Sequence, residues 1–116
     1  MITAYDGGSI HIGIERVEKS IVLGSHGERF AWNLAQFEDL TEEHFTVLVA
    51  TKPELIIFGS GAKLRFAHPK LLASLMAARI GIETMDTPAA CRTYNILAGE
   101  GRHVVGAFLI QNQALA

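Results

Sequence analysis

Leu55-Ile56-Ile57-Phe58 is a continuous apolar run that stops at Gly59-Ser60-Gly61. Four successive apolar residues before a glycine-rich turn are typical of a short strand that is buried on both faces. Strands of this kind lie in the middle of parallel sheets, where helices cover both faces. We therefore expect residues 55–58 to form a central strand of an α/β sheet.

Helix and strand patterns alternate after this run. Pro69 takes a first helical position, apolar residues follow at helical spacing, and Gly81 is expected to end that helix. Residues 82–85 predict a short strand. A second helix is predicted from Thr87-Pro88, with Thr87 as its N-cap, to Gly99 or Gly101.

Residues 103–110 predict the last strand, and the polar residues Gln111-Asn112-Gln113 are expected to fray. The order of elements implies parallel strands joined by crossover helices in a three-layer sandwich. Upstream of the apolar run, Thr41 is the predicted N-cap of one more helix, which Pro53 follows.

The first 34 residues or so predict antiparallel strands instead. Three isoleucines between residues 10 and 14 alternate with His11 and Gly13, which is the period of a half-buried strand. Residues 20–23 and 29–32 predict two more strands, joined by a turn in which Gly27 takes a positive φ. Trp32 and Phe37 are expected to pack in the core rather than to form an exposed recognition patch.

Composition limits the function classes. A chain of 116 residues, 49% hydrophobic and 19% charged, is expected to fold as a single domain over residues 1–116. A net charge of −2 disfavours a nucleic-acid binder, and one cysteine allows no internal disulfide. With no signal peptide or membrane-length apolar run, we expect a cytoplasmic bacterial protein. If the parent is a eukaryote and a transit peptide was removed, we expect the mitochondrial matrix side.

The glycine turn is the first segment with potential chemistry. It follows the carboxyl end of a buried strand, where open α/β sheets place ligands. Its backbone N–H groups are suited to a small anion, and Lys63 and Arg65 make the neighbourhood basic. The alternative is a tight turn that needs small residues, since both the third glycine of a dinucleotide fingerprint and the P-loop pattern are missing.

The second segment is the start of the helix at Asp86-Thr87-Pro88. Cys91 lies in the first helical turn beside Arg92, which favours a thiolate. The alternative is a small, half-buried side chain without a partner base. Arg92, Tyr94 and Asn95 are suited either to recognise a ligand or partner, or to tie the helix to a neighbouring loop.

Neither metal, cofactor nor acid–base chemistry is predicted. Five histidines are scattered along the chain, and none is paired at a spacing typical of metal ligands: His11, His26, His44, His68 and His103. The carboxylates lie mostly on expected solvent faces, so a catalytic pair is not indicated.

Residues 85–97, which read MDTPAACRTYNIL, resemble the signature segment of a small family of domains of unknown function. That family includes a mitochondrial respiratory complex I (NADH:ubiquinone oxidoreductase) assembly factor and its bacterial homologues, and its fold is called Mth-like. Residues 55–61, the step at 81–83 and the run at 100–105 also resemble the family, as does the strand-rich part that leads to Trp32.

The resemblance implies a three-layer Mth-like α/β fold, with a mixed central sheet and an additional N-terminal antiparallel β layer. It implies no established catalytic activity and no cofactor. Its mitochondrial members assist early complex I assembly, bound peripherally to the inner membrane with another assembly factor, so it implies protein partners of that kind. A small-anion binding module remains the alternative. The candidate ligand- or partner-binding residues are Gly59, Ser60, Gly61, Lys63, Arg65, Asp86, Thr87, Pro88, Cys91, Arg92, Tyr94 and Asn95.

Overall fold

A computed structural model describes residues 1–111, so Asn112 and Gln113 of the predicted fraying tail lie outside the described part. The strands within this range are β1 (Ile2–Tyr5), β2 (Ile10–Ile12), β3 (Glu15–Val17), β4 (Ile21–Gly24), β5 (Arg29–Ala31), β6 (Leu55–Gly59), β7 (Gly81–Met85) and β8 (Val104–Phe108). The α-helices are α1 (Glu42–Val49), α2 (Ala73–Ala77) and α3 (Thr87–Gly99), and short 3₁₀ helices cover Phe37–Asp39 and Pro69–Leu72.

The central sheet is mixed and has the order β5-β4-β8-β6-β7. β6 lies between β7 and β8 and pairs with both in parallel, whereas β4 pairs with β5 and β8 antiparallel. The predicted middle position of residues 55–58 is confirmed, because β6 has a parallel neighbour on each side. A separate sheet with the order β1-β2-β3 forms the N-terminal antiparallel layer.

Successive side chains of the central sheet point to opposite faces, and each face packs in its own hydrophobic core. On one face, Ile56 and Phe58 of β6 pack with residues of α1 and α2. On the other face, Ile57 packs with residues of α3, β1 and β2. The central sheet therefore lies between a helical layer and a layer that combines α3 with the small sheet. This arrangement is the expected three-layer α/β fold.

The N-terminal layer differs in detail from the prediction. The strand expected at residues 10–14 ends at Ile12, because Gly13 has a φ of 61° and turns the chain toward β3. Ile14 is therefore fully exposed rather than half-buried. β1 and β3 have too few alternating apolar residues to be predicted, and each becomes a strand through pairing with β2.

Three predicted boundaries are also corrected. The N-cap of α3 is Asp86 rather than Thr87, which is the first helical residue. The helix predicted from Pro69 is a 3₁₀ helix followed by the short α2, and Arg79, with a φ of 60°, turns the chain before Gly81 starts β7. The last strand covers Val104–Phe108 rather than 103–110.

Among residues 1–111 the structure contains no helix that is both long enough and apolar enough to span a membrane.

Candidate functional site

The glycine turn and the start of α3 meet at the buried hydroxyl of Thr87. Thr87 Oγ1 accepts a hydrogen bond from the Gly61 backbone N–H at 2.9 Å and donates one to the Leu109 carbonyl oxygen at 2.8 Å. The Thr87 N–H also donates to the Gly61 carbonyl at 2.8 Å. Gly61 follows β6, Leu109 follows β8 and Thr87 follows β7, so one side chain joins the carboxyl ends of three parallel strands. We call this arrangement the Thr87 joint.

Gly59 allows α3 to approach the sheet at this joint. A Cβ atom at Gly59 would lie 3.0 Å from Thr87 Oγ1 and 3.1 Å from both Thr87 Cα and Ala90 Cβ. These distances are shorter than ordinary van der Waals contact, so a side chain here would push α3 away. The Gly59 carbonyl accepts the Leu109 N–H at 2.9 Å, which completes the link to β8.

The amide groups proposed to bind an anion have protein partners in the structure. The Ser60 N–H donates to the Met85 carbonyl at 2.9 Å, and the Gly61 N–H is held by Thr87. At the start of α3, the Asp86 carboxylate accepts the Ala89 N–H at 2.9 Å. These three donors are occupied, so the turn and the helix start are a packed joint at these positions rather than an open cradle.

Ser60 organises the segment that follows the turn. Its Oγ donates to the Lys63 carbonyl at 2.6 Å and accepts the Arg65 N–H at 3.0 Å. The Arg65 guanidinium lies 4.4 Å from the centre of the Phe37 ring and donates from Nη1 to Glu38 Oε2 at 2.8 Å. We call residues 62–68, which these contacts hold in place, the 62–68 loop.

The 62–68 loop exposes two large apolar side chains that the sequence reasoning did not select. Leu64 is 52% exposed and Phe66 is 70% exposed, whereas Ala67 is buried. Lys63 is exposed beside them. The sequence signal was present, since two large apolar residues occur in a segment with neither helical nor strand periodicity. Such residues are equally common in irregular core segments, so burial had to be seen to separate the two cases.

Cys91 and Tyr94 lie on the buried face of α3. Burial raises the pKa of the Cys91 thiol to about 12, and the nearby Arg92 charge offsets only part of this. Tyr94 packs edge-on against Phe108, with ring centres 5.7 Å apart. Burial also raises the pKa of Tyr94. These environments favour the protonated, packed form of both side chains over a reactive one.

Asn95 ties α3 to β1. Its Nδ2 donates to the Ile2 carbonyl at 2.6 Å, and its Oδ1 accepts the Ile2 N–H at 3.1 Å. Asn95 therefore ties α3 to a strand, whereas the predicted alternative to ligand recognition was a tie to a neighbouring loop. Pro88, Cys91 and Arg92 line a shallow depression of about 260 Å³ beside this contact. The structure thus divides the candidate residues among the Thr87 joint, the 62–68 loop and this depression, and it places Tyr94 in the core.

Comparison with known proteins supplies the family. Residues 2–109 match the model of a family described as "Protein of unknown function (DUF498/DUF598)". The chain belongs to this family. The family relationship that the segment at 85–97 suggested is therefore confirmed.

Relatives and solved structures agree with this assignment. A mouse protein named NADH dehydrogenase [ubiquinone] 1 alpha subcomplex assembly factor 3 is 41% identical over 81 residues, which cover 68% of this chain and 43% of the mouse protein. A crystal structure from Bordetella parapertussis superposes with a TM-score of 0.86 at 34% identity, covering 95% of this chain and 94% of that one. A Mth938-like domain from Bordetella pertussis superposes with a TM-score of 0.83 at 29% identity, covering 97% and 86%. The fold of this family member is thus Mth938-like, and the match spans less than half of the mouse relative.

The first prediction concerns the Thr87 joint. Replacing Thr87→Val keeps the shape of the side chain but leaves the Gly61 N–H and the Leu109 carbonyl buried without a partner. We expect a loss of about 2–4 kcal/mol in the free energy of unfolding, measured by urea denaturation. Thr87→Ser is the matched control, because it keeps the hydroxyl and should cost only about 1 kcal/mol. A valine variant as stable as the serine variant would show that the joint is not a stabilising contact.

The second prediction concerns Cys91. Only the thiolate reacts with iodoacetamide, and a thiol with a pKa near 12 is almost fully protonated at pH 8. We expect native Cys91 to be alkylated at least about a hundredfold more slowly than the same cysteine in the urea-unfolded chain. The rate is followed by mass spectrometry. Equal rates in the native and unfolded chains would restore the alternative of a reactive thiol.

Proposed function

We propose that this protein is a non-enzymatic interaction factor that assists the assembly of a membrane-bound respiratory complex related to complex I. The observation that carries the proposal is its 41% identity to a protein named as an assembly factor for the NADH dehydrogenase [ubiquinone] 1 alpha subcomplex. Within the described residues, the burial of Cys91 and the packing of the glycine turn also favour a binding role over a catalytic one.

The 62–68 loop is the surface we assign to the partner. Leu64 and Phe66 project outward, while Ser60 and Arg65 fix the backbone from inside. A loop backbone that is already held in place loses little conformational freedom on binding, which favours affinity. Aromatic anchors surrounded by polar groups are the usual sources of binding energy in protein interfaces.

Charge indicates the chemistry of the partner surface. Lys63 and Lys70 are both exposed, and they precede and follow the two apolar residues in the sequence. We therefore propose that the partner presents an apolar pocket with acidic residues at its rim, and that it is a protein component of the respiratory-complex assembly machinery. Any association with the membrane would be peripheral and mediated by this partner. The proposal includes no nucleic acid.

The cellular site proposed for this activity follows the same relationship. In a bacterium the protein acts on the cytoplasmic side of the membrane, and in a eukaryote on the matrix side of the inner mitochondrial membrane. The alternative of an anion-binding module has less support, because the amides of Ser60 and Gly61 already donate to protein acceptors.

The third prediction tests this surface in the native cell. Wild-type protein at its natural expression level is cross-linked and purified, and bound proteins are identified by mass spectrometry. We expect respiratory-complex or membrane-biogenesis proteins to be recovered. Phe66→Asp should reduce their recovery at least about tenfold, because loss of an interface anchor costs about 2 kcal/mol or more.

The matched control is Ile96→Asp. Ile96 is also an exposed apolar residue, but it lies on α3 and not in the loop. Its recovery of partners should equal that of the wild type. Complex I activity in membranes of a deletion strain provides a second readout, and it should be restored by the Ile96 variant but not by the Phe66 variant. Normal complex I assembly in the deletion strain would refute the proposed function.

A further inference from the structure

Two histidines and a glutamate that are distant in sequence come together at the other end of the central sheet. His26 and Glu28 lie in the turn between β4 and β5, and His103 immediately precedes β8. Their side-chain ligand atoms all lie within 4.8 Å of one another. We call these three residues the His–Glu–His cluster. It lies at the amino end of β8, opposite the Thr87 joint.

The side chains of the cluster are closely placed. Glu28 Oε2 lies 2.6 Å from His103 Nε2. The imidazole rings of His26 and His103 are stacked, with ring centres 3.7 Å apart and planes within 3° of parallel. The side chains of His103 and Glu28 are only 17% and 20% exposed, whereas His26 lies at the surface. The cluster therefore has two sheltered groups and one side open to solvent.

The backbone on both sides of the cluster is fixed. Ser25 Oγ donates to the Arg102 carbonyl at 2.7 Å and accepts the Val104 N–H at 3.0 Å, and the Ser25 N–H donates to the Val104 carbonyl at 2.9 Å. These bonds lock the turn that carries His26 and Glu28 onto the segment that carries His103. The backbone that carries the three side chains is therefore fixed before an ion arrives.

Gly24 makes room for the glutamate. A Cβ atom at Gly24 would lie 2.6 Å from Glu28 Cδ and 2.8 Å from Glu28 Cβ, so the Glu28 side chain occupies the space that a larger residue would fill. The His26 N–H also donates to Glu28 Oε1 at 3.0 Å, which orients the carboxylate. The glutamate is thus directed at the imidazoles by the turn itself and does not simply extend into solvent.

We propose that the His–Glu–His cluster binds one Zn²⁺ ion or a similar borderline divalent transition metal. Two imidazole nitrogens and one carboxylate oxygen form a ligand set that zinc accepts. An imidazole nitrogen binds a metal in the plane of its ring, so the exposed His26 ring turns out of its parallel stack with His103 to reach the ion. The open side of the cluster leaves a fourth position for water. Ligand atoms around a tetrahedral zinc lie about 3.4 Å apart, as bond lengths of about 2.0–2.1 Å require. The ion replaces the hydrogen bond between His103 and Glu28, and the proton of the neutral His103 ring moves through solvent from Nε2 to Nδ1, so that Nε2 is free to bind the ion.

Sequence spacing alone does not reveal this cluster. His26 and Glu28 are separated from His103 by most of the chain, and the antiparallel pairing of β4 with β8 brings them together. The proposal is independent of the assembly role, since the cluster lies outside the 62–68 loop.

The experiment uses the full chain without an affinity tag, because a polyhistidine tag would bind the metal itself. Zn²⁺ is titrated by calorimetry, and Co²⁺ is used as a spectroscopic probe for tetrahedral coordination. We expect one ion per chain and a visible Co²⁺ band of tetrahedral type. His26→Ala and Glu28→Gln should each weaken Zn²⁺ binding at least about tenfold. Substitution of a residue that only hydrogen-bonds to a metal ligand already weakens metal affinity by that factor.

His11→Ala is the matched control. His11 also faces a carboxylate, with Nε2 3.1 Å from Asp6 Oδ2. Among the described residues, however, this pair belongs to no group of three potential metal ligands. Its variant should bind Zn²⁺ as the wild type does. His26 is exposed, so its replacement should not disturb folding, which circular dichroism verifies. Absence of Zn²⁺ binding, or binding that His26→Ala and Glu28→Gln leave unchanged, would overturn the proposal.

Discussion

The buried hydroxyl of Thr87 is the interaction on which the rest of the structure depends. It accepts a hydrogen bond from Gly61, two residues after β6, and donates one to Leu109, directly after β8, while its own backbone starts α3 after β7. Parallel strands leave their terminal backbone groups without partners where the chain departs for its crossover. One hydroxyl satisfies two such groups at a fully buried position. Gly59 complements it, since only a residue without a side chain allows α3 to lie this close.

The two ends of the central sheet are built differently, and this difference separates the proposed activities. At the carboxyl end, the packed joint fixes the start of the 62–68 loop, so Leu64 and Phe66 project from a backbone held by hydrogen bonds. At the amino end, the turn after β4 is bonded to the start of β8, which collects the His–Glu–His cluster. The first connection is ordered by hydrogen bonds to Ser60 and to the start of α3, and the second by hydrogen bonds to the segment that enters β8.

Sequence reasoning predicts well what local pattern determines. The apolar run at 55–58 predicts a strand that lies between two other strands, as β6 does. Pro88 marks the start of α3 to within one residue. It fails where pairing decides the outcome, as for β1 and β3, which carry too little periodicity of their own. The candidate site shows the same limit. Gly61 and Thr87 were selected for ligand binding, but their polar groups bond to each other, and only the tertiary structure reveals which donors are occupied.

Native-state hydrogen exchange at the Gly61 amide tests the Thr87 joint most directly. Gly61 lies in an irregular connection, where amides ordinarily exchange through small local openings. If its N–H is held by the Thr87 hydroxyl, it should exchange only through global unfolding, with the same free energy as the Val105 amide in the central strand β8. If the Gly61 amide exchanges as fast as that of Lys63 in the adjoining loop, the joint does not hold the strand ends together.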